Sequence, residues 1–180
     1  MEFTHFKKIL NVIKKKNIVI IGHMGSGKTV FSKKIASNYN IKHIDTDREI
    51  IKLEKLNINE IFLNKGEAYF RKIESKIVLN TLEKKYVVIS LGGGSILCKK
   101  IREKLTKQSY TVFLDVDIKI LNNRLIKSKN RPLLKDCNIL SKIKQLDLQR
   151  KKHYLTADLI LDNSKSIDKT FLNFINYFHH

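Results

Sequence analysis

A glycine-rich segment near the start of the chain carries the residue types that hold phosphate groups. Residues 22–29 read GHMGSGKT and match the pattern G-x-x-x-x-G-K-S/T. In such a segment, glycines let main-chain N–H groups turn toward phosphate oxygens, the lysine reaches the β- and γ-phosphates, and the threonine hydroxyl can ligate Mg²⁺. The pattern therefore predicts a nucleoside triphosphate site, but it does not say which molecule accepts the phosphate.

Two carboxylates follow a predicted strand and are candidates for the acceptor side of the site. Asp45 and Asp47 lie at the carboxyl end of that strand, where ligands gather in open α/β sheets. Their spacing of two residues in an extended chain puts both carboxylates on one side. We assign Asp45 to the hydration shell of Mg²⁺ and Asp47 to the acceptor hydroxyl. Solvated loop carboxylates or a helix N-cap would explain the pair equally well.

An arginine on a predicted helix suits an anionic acceptor. Arg71 lies in the segment GEAYFRKIE, and Glu74 is its helical neighbour three residues further on. Glu74 would hold the guanidinium in one orientation, ready for two parallel hydrogen bonds to a carboxylate or a phosphate. On these residues alone, an ordinary exposed ion pair on the helix is the favoured interpretation.

Three consecutive glycines end a predicted buried strand. Gly92, Gly93 and Gly94 follow the apolar segment YVVISL and make up three of the chain's seven glycines. Bare backbone at this point lets a small ligand lie against main-chain N–H groups. A purely structural turn needs only one or two glycines, so we expect a binding function here.

Three more arginines lie in or beside a polar, basic loop over residues 128–137. In that loop, a mobile segment would bring Arg131 over the phosphates and exclude water. Arg124 and Arg150 lie on the predicted helices on either side. Taken singly, each of the three would also fit a surface cation.

Apolar periodicity places these residues on alternating strands and helices. Strands are predicted at residues 17–21, 41–44, 86–91, 110–115 and 157–161. Helices are predicted at residues 28–39, 46–53, 58–63, 67–83, 99–107, 118–127, 139–154 and 167–178. The alternation predicts an α/β protein with a mainly parallel sheet and helices on both faces. No repeat or linker interrupts it, so we expect a single domain over residues 17–180.

The first sixteen residues stand apart from this alternation. Phe3, Phe6, Leu10 and Ile13 would line one side of an amphipathic helix, with lysines on the opposite side. A membrane-surface helix or a transit segment is one interpretation. Because the segment has an acidic Glu2 and no arginine, we instead expect residues 1–16 to form a short basic leader docked on the domain.

Composition limits the class of protein. A chain of 180 residues with 42% hydrophobic and 29% charged residues is typical of one soluble globular domain. Its two cysteines form neither a disulfide scaffold nor a metal-ligand pattern, and no apolar stretch is long enough to cross a membrane. We expect a cytoplasmic monomer without a membrane partner.

The net charge of +19 invites a nucleic-acid partner. Only six of the 36 basic residues are arginine, however, and the lysines are spread evenly along the chain. Lysine, isoleucine and asparagine, which together make up 70 of the 180 residues, share A/T-rich codons. A biased genome therefore explains the charge without a partner, and we predict no nucleic-acid binding.

Together, these segments resemble the shikimate kinase family, which belongs to the P-loop group similar to nucleoside monophosphate kinases. The resemblance covers nearly the whole chain from Asn17 onward. It rests on GHMGSGKT, IDTD, GEAYFRKIE, SLGGGS and NRLIKSKNRPLL, and on the nineteen residues from Arg131 to Arg150. It implies a three-layer α/β/α P-loop kinase fold. That fold has a five-stranded parallel sheet in the order 2-3-1-4-5, a helical substrate-binding segment and a mobile lid near residues 128–137.

The resemblance also implies a reaction and the residues that carry it. The γ-phosphoryl group of ATP would pass to the 3-hydroxyl of shikimate, with Mg²⁺ as cofactor, in aromatic amino acid biosynthesis. The implied catalytic residues are Lys28, Asp47 and Arg131. The implied ATP-binding residues are Gly25, Ser26, Gly27, Lys28, Thr29, Val30, Arg124 and Arg131, with Thr29 and, through water, Asp45 at the metal. The implied shikimate-binding residues are Asp47, Phe62, Phe70, Arg71, Gly92, Gly93, Gly94 and Arg150.

Within these sets the resemblance gives each group a role. Arg71 and Arg150 would hold the carboxylate of shikimate, Asp47 would hold its hydroxyls, and Arg124 would stack near the adenine. Val30 departs from the family, which commonly has a hydroxyl residue after Thr29. Two other functions stay open: a P-loop kinase for another small hydroxy acid such as gluconate, and a basic nucleic-acid-binding P-loop protein without kinase activity.

Overall fold

Five short apolar segments pair side by side in the computed structural model, which describes residues 2–126 and 138–179. The strands are β1 (Asn17–Ile21), β2 (Lys42–Asp45), β3 (Val87–Ser90), β4 (Ser109–Asp115) and β5 (Leu159–Asp162). All of their pairings are parallel, and the order across the sheet is β2-β3-β1-β4-β5. This order confirms the predicted sheet. Every residue of β1 and β3 is buried, as the continuous apolar runs in their sequences require.

Eight α-helices lie in the described residues. They are α1 (Glu2–Val12), α2 (Lys28–Tyr39), α3 (Thr46–Glu54), α4 (Ile58–Thr81), α5 (Lys99–Gln108), α6 (Ile118–Ile126), α7 (Ile139–Tyr154) and α8 (Ile167–His179). A 3₁₀ turn covers Ser95–Leu97. The two helices predicted at residues 58–63 and 67–83 are joined as α4, which has a kink at Gly66 because its φ is 79°.

The sheet is covered on both faces, which gives three layers. Alternate residues of β1 point to opposite sides, so Ile18 and Ile20 meet one layer while Val19 and Ile21 meet the other. The first layer contains α1, α2 and α8, and the second contains α4, α5 and α7. A separate small cluster of Ile50, Ile61 and Phe70 joins α3 to α4. These two helices form the helical segment beside the sheet.

Helix α1 contributes its apolar face to the core. Phe6 and Leu10 are fully buried, and the Phe6 ring lies 5.1 Å from Tyr39 and 5.9 Å from Phe178, between ring centroids. Its apolar side chains therefore contact α2 and α8. Among residues 2–126 and 138–179, every helix is too short or too polar to cross a bilayer.

The parallel sheet brings three loops to one edge. Asp45 at the end of β2 is in register with Ser90 at the end of β3, and Ser90 is in register with Ile20 of β1. The segments that follow these strands therefore emerge side by side: the glycine-rich loop after β1, the start of α3 after β2, and the three glycines after β3. Such an edge is where open α/β sheets bind ligands.

Candidate active site

The glycine-rich loop between β1 and α2 is folded around its own lysine. Gly25 and Gly27 have φ values of 83° and 93°, a region that L side chains rarely adopt. Gly27 is the N-cap of α2, so the first N–H groups of the helix are available at the loop. The Lys28 Nζ donates hydrogen bonds to the carbonyl oxygens of Gly22 (2.9 Å) and His23 (2.8 Å). The ammonium group is therefore held at the centre of a phosphate-binding loop.

Thr29 and Asp45 form the contact between this loop and β2. The Thr29 hydroxyl donates a hydrogen bond of 2.8 Å to Asp45 Oδ2, and Asp45 Oδ1 accepts one of 3.2 Å from the main-chain N–H of Arg48. Asp45 is thus the N-cap of α3 as well as a neighbour of the threonine. A hydroxyl beside a carboxylate is a set of hard oxygen donors that suits Mg²⁺.

The prediction that Asp45 and Asp47 share one side of an extended chain is wrong. Asp45 ends β2 and caps α3, so Thr46 and Asp47 already lie in the first turn of the helix. Asp47 instead approaches the three glycines: a Cβ built on Gly92 would lie 2.6 Å from Asp47 Oδ1. Thr46 holds the two segments together, because its hydroxyl accepts from Gly92 N at 3.0 Å and donates to Ser90 O at 3.2 Å.

Arg71 is fixed by two glutamates on its own helix. Its Nη1 donates to Glu74 Oε2 at 2.7 Å, and its Nε and Nη2 donate to Glu67 Oε1 at 3.1 and 3.0 Å. Glu74 is buried and is held in turn by the Ser95 hydroxyl, which donates to its Oε1 at 2.7 Å. Burial opposes the charge on the guanidinium, but the two glutamates outweigh it and raise the pKa of Arg71. An ordinary exposed ion pair does not describe this arrangement.

The Arg71 guanidinium lies directly against Gly94. A Cβ built on Gly94 would overlap its Nη1 and lie 2.9 Å from its Cζ. The backbone of Gly94 is right-handed, so glycine is needed here for space and not for its φ. The guanidinium also lies 5.2 Å from the centroid of the Phe70 ring, which contacts Phe62 at 4.7 Å between centroids.

Arg150 reaches the same glycines from α7. Its residue is 8% exposed, and its Nε has no hydrogen-bond partner among the described residues. A Cβ built on Gly93 would lie 3.5 Å from Arg150 Nη1 and 3.6 Å from the main-chain N of Met24. Arg71 and Arg150 therefore converge on adjacent glycines next to the phosphate-binding loop. Two guanidinium groups in this position can hold one carboxylate between them.

The glycine-rich loop is also held at Ser26 by Asn163, a residue that the sequence analysis did not single out. Asn163, the residue after β5, donates from Nδ2 to Ser26 O at 2.7 Å, and its Oδ1 accepts from the Thr170 hydroxyl at 2.9 Å. Arg124 Nη2 donates to Asn163 O at 2.8 Å. The sequence contains a signal that could have identified Asn163. It is a polar residue directly after an apolar strand, at the edge of the sheet where the other loops gather.

Of the remaining predicted site residues, three lie in the described part of the chain and Arg131 does not. Val30 is 58% exposed on the first turn of α2. Phe70 is buried and Phe62 is half-buried beside it. Arg131 and the predicted lid near residues 128–137 lie outside the described residues.

Tyr154 is a second contact residue that the sequence did not predict. Its hydroxyl donates to Gly93 O at 2.7 Å and so ties α7 to the glycines.

Comparison with known proteins gives the family. A family model described as shikimate kinase matches residues 24–178. The chain belongs to the shikimate kinase family. A shikimate kinase from Aquifex aeolicus strain VF5 is 39% identical over 148 residues, which is 82% of this chain and 87% of that one.

Solved structures of shikimate kinases have the same fold. The shikimate kinase from Bacteroides thetaiotaomicron has a TM-score of 0.86 and 29% identity, and covers 92% of this chain and 99% of its own. The shikimate kinase from Acinetobacter baumannii, in complex with shikimate, has a TM-score of 0.85 and 27% identity, with coverage of 94% and 96%. These matches confirm the P-loop α/β kinase fold that the sequence motifs implied.

Proposed function

We propose that the protein transfers the γ-phosphoryl group of ATP to the 3-hydroxyl of shikimate, giving shikimate 3-phosphate and ADP. Membership of the shikimate kinase family supports the reaction. The observation that carries the substrate assignment is the convergence of Arg71 and Arg150 on Gly93 and Gly94, beside the phosphate-binding loop. Shikimate has one carboxylate, several hydroxyls and a small ring, and each has a matching group here.

The two arginines bind the carboxylate of shikimate. Among the described residues, the buried Arg150 Nε has no hydrogen-bond partner, and leaving such a group unpaired costs about 1–3 kcal/mol. A carboxylate would satisfy it and would take the parallel hydrogen bonds that a fixed guanidinium offers. Glu67 and Glu74 keep Arg71 oriented, so little side-chain entropy is lost when the substrate binds.

The ring of shikimate lies between the aromatic side chains and the glycines. Phe62 and Phe70 line its apolar side, and the bare backbone of Gly92, Gly93 and Gly94 lines the other. This placement directs the hydroxyls toward Asp47, which lies against Gly92. Asp47 orients the 3-hydroxyl and accepts its proton as the new bond to phosphorus forms. It need not be a strong base, because phosphoryl transfer passes through a loose transition state.

The phosphates of ATP bind in the glycine-rich loop. The main-chain N–H groups from Gly25 to Val30 and the Lys28 ammonium surround them, Arg131 compensates charge on the transferred group, and Arg124 stacks near the adenine. Alignment and charge compensation supply most of the catalysis in a transfer of this kind. The Lys28 Nζ already lies at the centre of the loop, so little rearrangement is needed.

Thr29 and, through water, Asp45 are the residues that would hold Mg²⁺. Their oxygen atoms lie 2.8 Å apart and suit a hard cation. The described residues contain no group of three or more histidine, cysteine or acidic side chains that could enclose a metal. The ion would therefore arrive with the nucleotide, since Mg²⁺ in such sites is held by few protein groups and by phosphates. When bound, it neutralises charge on the β- and γ-phosphates.

Release of ADP from the purified protein tests the reaction. With ATP and Mg²⁺ present, shikimate should start ADP release, whereas gluconate and buffer alone should not. Phosphorus NMR of the product should show one phosphate ester on the oxygen at ring position 3. Release of ADP at the same rate without an acceptor, or a preference for gluconate, would contradict the proposal.

We further propose that the active form is a monomer without a nucleic-acid or membrane partner. Arg71 and Arg150 converge on Gly93 and Gly94 within one chain, and this arrangement supports the proposal of a monomer. Sedimentation at working concentration should give a mass near 21.0 kDa. Oligonucleotide binding, if present, would appear as an affinity that falls steeply with salt.

A further inference from the structure

A buried histidine in the glycine-rich loop contacts the helix that carries Arg150. His23 is 6% exposed, and its Nε2 lies 2.8 Å from Asp147 Oδ1. Asp147 is on α7, three residues before Arg150, so the two side chains lie on the same side of that helix. This hydrogen bond joins residues that are 124 positions apart in the sequence.

The same histidine is packed against the tyrosine that holds the glycines. The His23 ring meets the Tyr154 ring edge-to-face at 5.0 Å between centroids, and the Tyr154 hydroxyl donates to Gly93 O. On its other side, the His23 carbonyl accepts a hydrogen bond from Lys28 Nζ. The loop, α7 and the three glycines therefore meet around one imidazole.

We propose that His23 and Asp147 are a positioning pair, which fixes α7 against the glycine-rich loop and so sets where the Arg150 guanidinium lies relative to the transferred phosphate. The proposal rests on the proposed function, in which Arg150 binds the substrate carboxylate. Neither His23 nor Asp147 would touch substrate. Their effect reaches shikimate through the position of α7.

The chemistry of the pair favours a neutral imidazole. A carboxylate can only accept, so Nε2 carries the proton and donates to Asp147. Burial lowers the pKa of His23, Asp147 opposes that shift, and the positive charges of Arg150 and Lys28 add to it.

Leucine at position 23 would keep much of the volume and remove the donor. Glutamine would keep an N–H group at a similar reach.

Steady-state kinetics with both substrates varied tests the proposal. His23→Leu and Asp147→Ala should each raise the KM for shikimate about ten-fold, the effect expected from loss of one buried hydrogen bond that orients a binding group. The KM for ATP should change less than about two-fold, and the double variant should be no worse than either single variant. His23→Gln should restore the KM for shikimate to near the wild-type value. Gln149→Ala, an exposed change on the same helix, should leave both constants unchanged.

The outcomes separate this proposal from the function on which it depends. Wild-type protein that does not phosphorylate shikimate would overturn the proposed function. If wild-type protein is active, a normal KM for shikimate in folded His23→Leu and Asp147→Ala would overturn the positioning role. So would an equal rise in the KM for ATP, since the pair would then shape only the nucleotide loop. Failure of both loss variants to fold would also overturn it, because the pair would then serve the fold as a whole.

Discussion

The side-chain amide of Asn163 donates a 2.7 Å hydrogen bond to the main-chain oxygen of Ser26, across 137 residues of sequence. Asn163 is 2% exposed and follows the edge strand β5, while Ser26 lies in the middle of the glycine-rich loop. The bond ties the middle of the glycine-rich loop to the residue that follows β5. A Cβ built on Gly27 would lie 2.9 Å from the same amide nitrogen, so the loop and Asn163 are in close contact.

Asn163→Ala should weaken ATP binding. It removes the bond to Ser26 O, whereas the Thr170 hydroxyl keeps the main-chain oxygens of Asp162 and Ser166 as acceptors. The lost bond should cost about 1–3 kcal/mol in the free energy of unfolding. Because the loop loses its support, the KM for ATP should rise about five-fold, with a smaller change in the KM for shikimate. Kinetics with each substrate varied, together with urea unfolding, measure both effects. Asn173→Ala, the same substitution at an exposed residue of α8, is the matched control. An unchanged KM for ATP in the Asn163 variant would show that the loop does not need this bond.

Gly94→Ala should block the shikimate site while leaving the backbone unstrained. The added methyl group would overlap the Arg71 guanidinium. The backbone dihedral angles of Gly94 are in the right-handed helical region, which alanine also adopts. We expect the KM for shikimate to rise at least about ten-fold. The unfolding midpoint should fall, because displacing the guanidinium takes the buried Glu74 carboxylate out of its ion pair. Titration calorimetry with shikimate in the absence of ATP measures the loss directly. Normal affinity would mean that Arg71 is not needed where the structure holds it.

Arg71→Lys should weaken the binding of shikimate and leave the binding of ATP nearly unchanged. Lysine keeps the charge but loses the planar fork that pairs with Glu67 and Glu74 and would pair with a carboxylate. The KM for shikimate should rise about ten-fold or more, and the KM for ATP should stay within about two-fold. Arg102→Lys is a suitable control, since Arg102 donates to the carbonyl oxygens of Ile96 and Leu97 away from the site. A dominant effect of Arg71→Lys on ATP would contradict the assignment.

Short-range patterns in the sequence predict those groups of candidate site residues that lie within a few positions of one another. The loop at residues 22–29 and the pair Arg71–Glu74 are each encoded within a few residues, because loop and helix geometry fix such spacings locally. The sheet order followed from the family resemblance, and the strands and helices from their apolar periodicity.

The contacts that join distant segments could not be predicted in this way. His23–Asp147 and Asn163–Ser26 depend on how helices and strands meet, which no local pattern records. The prediction that Asp45 and Asp47 lie on one side of an extended chain was wrong for a local reason. Asp45 caps α3, so the helix begins one residue after the strand ends and turns Asp47 toward Gly92.

Thr29→Val should reduce turnover by weakening the hold on Mg²⁺. Valine keeps the shape of threonine but lacks the hydroxyl that donates to Asp45. We expect kcat to fall about 100-fold and the Mg²⁺ concentration at half-maximal rate to rise, because charge compensation at the phosphates is lost. Chelation of Mg²⁺ by EDTA should abolish turnover of the wild-type protein. An unchanged Mg²⁺ dependence in the variant would contradict the role of Thr29.

Stability should depend on pH through His23. Burial lowers its pKa below the ordinary 6.5, so below that pH the unfolded chain takes up a proton that the folded chain resists. The contribution of this group is therefore present above its unfolded pKa and is lost as the pH falls through the folded pKa. His23→Gln, which does not titrate, should lose less stability than the wild-type protein between about pH 7.5 and about pH 5. Urea unfolding at a series of pH values measures the difference.

Gln149→Ala, which changes the same helix but keeps the imidazole, should follow the wild-type pH dependence. Parallel curves for wild-type protein and His23→Gln would mean that the imidazole titrates alike in the folded and unfolded chain. That result would contradict its burial against Tyr154 and Asp147.

A crystal structure of the wild-type protein with ADP and shikimate would show where the substrate binds. We expect the shikimate carboxylate within hydrogen-bonding distance of both Arg71 and Arg150, and the 3-hydroxyl beside Asp47, facing the glycine-rich loop. A shikimate molecule bound elsewhere, or one whose carboxylate contacts neither arginine, would contradict this expectation.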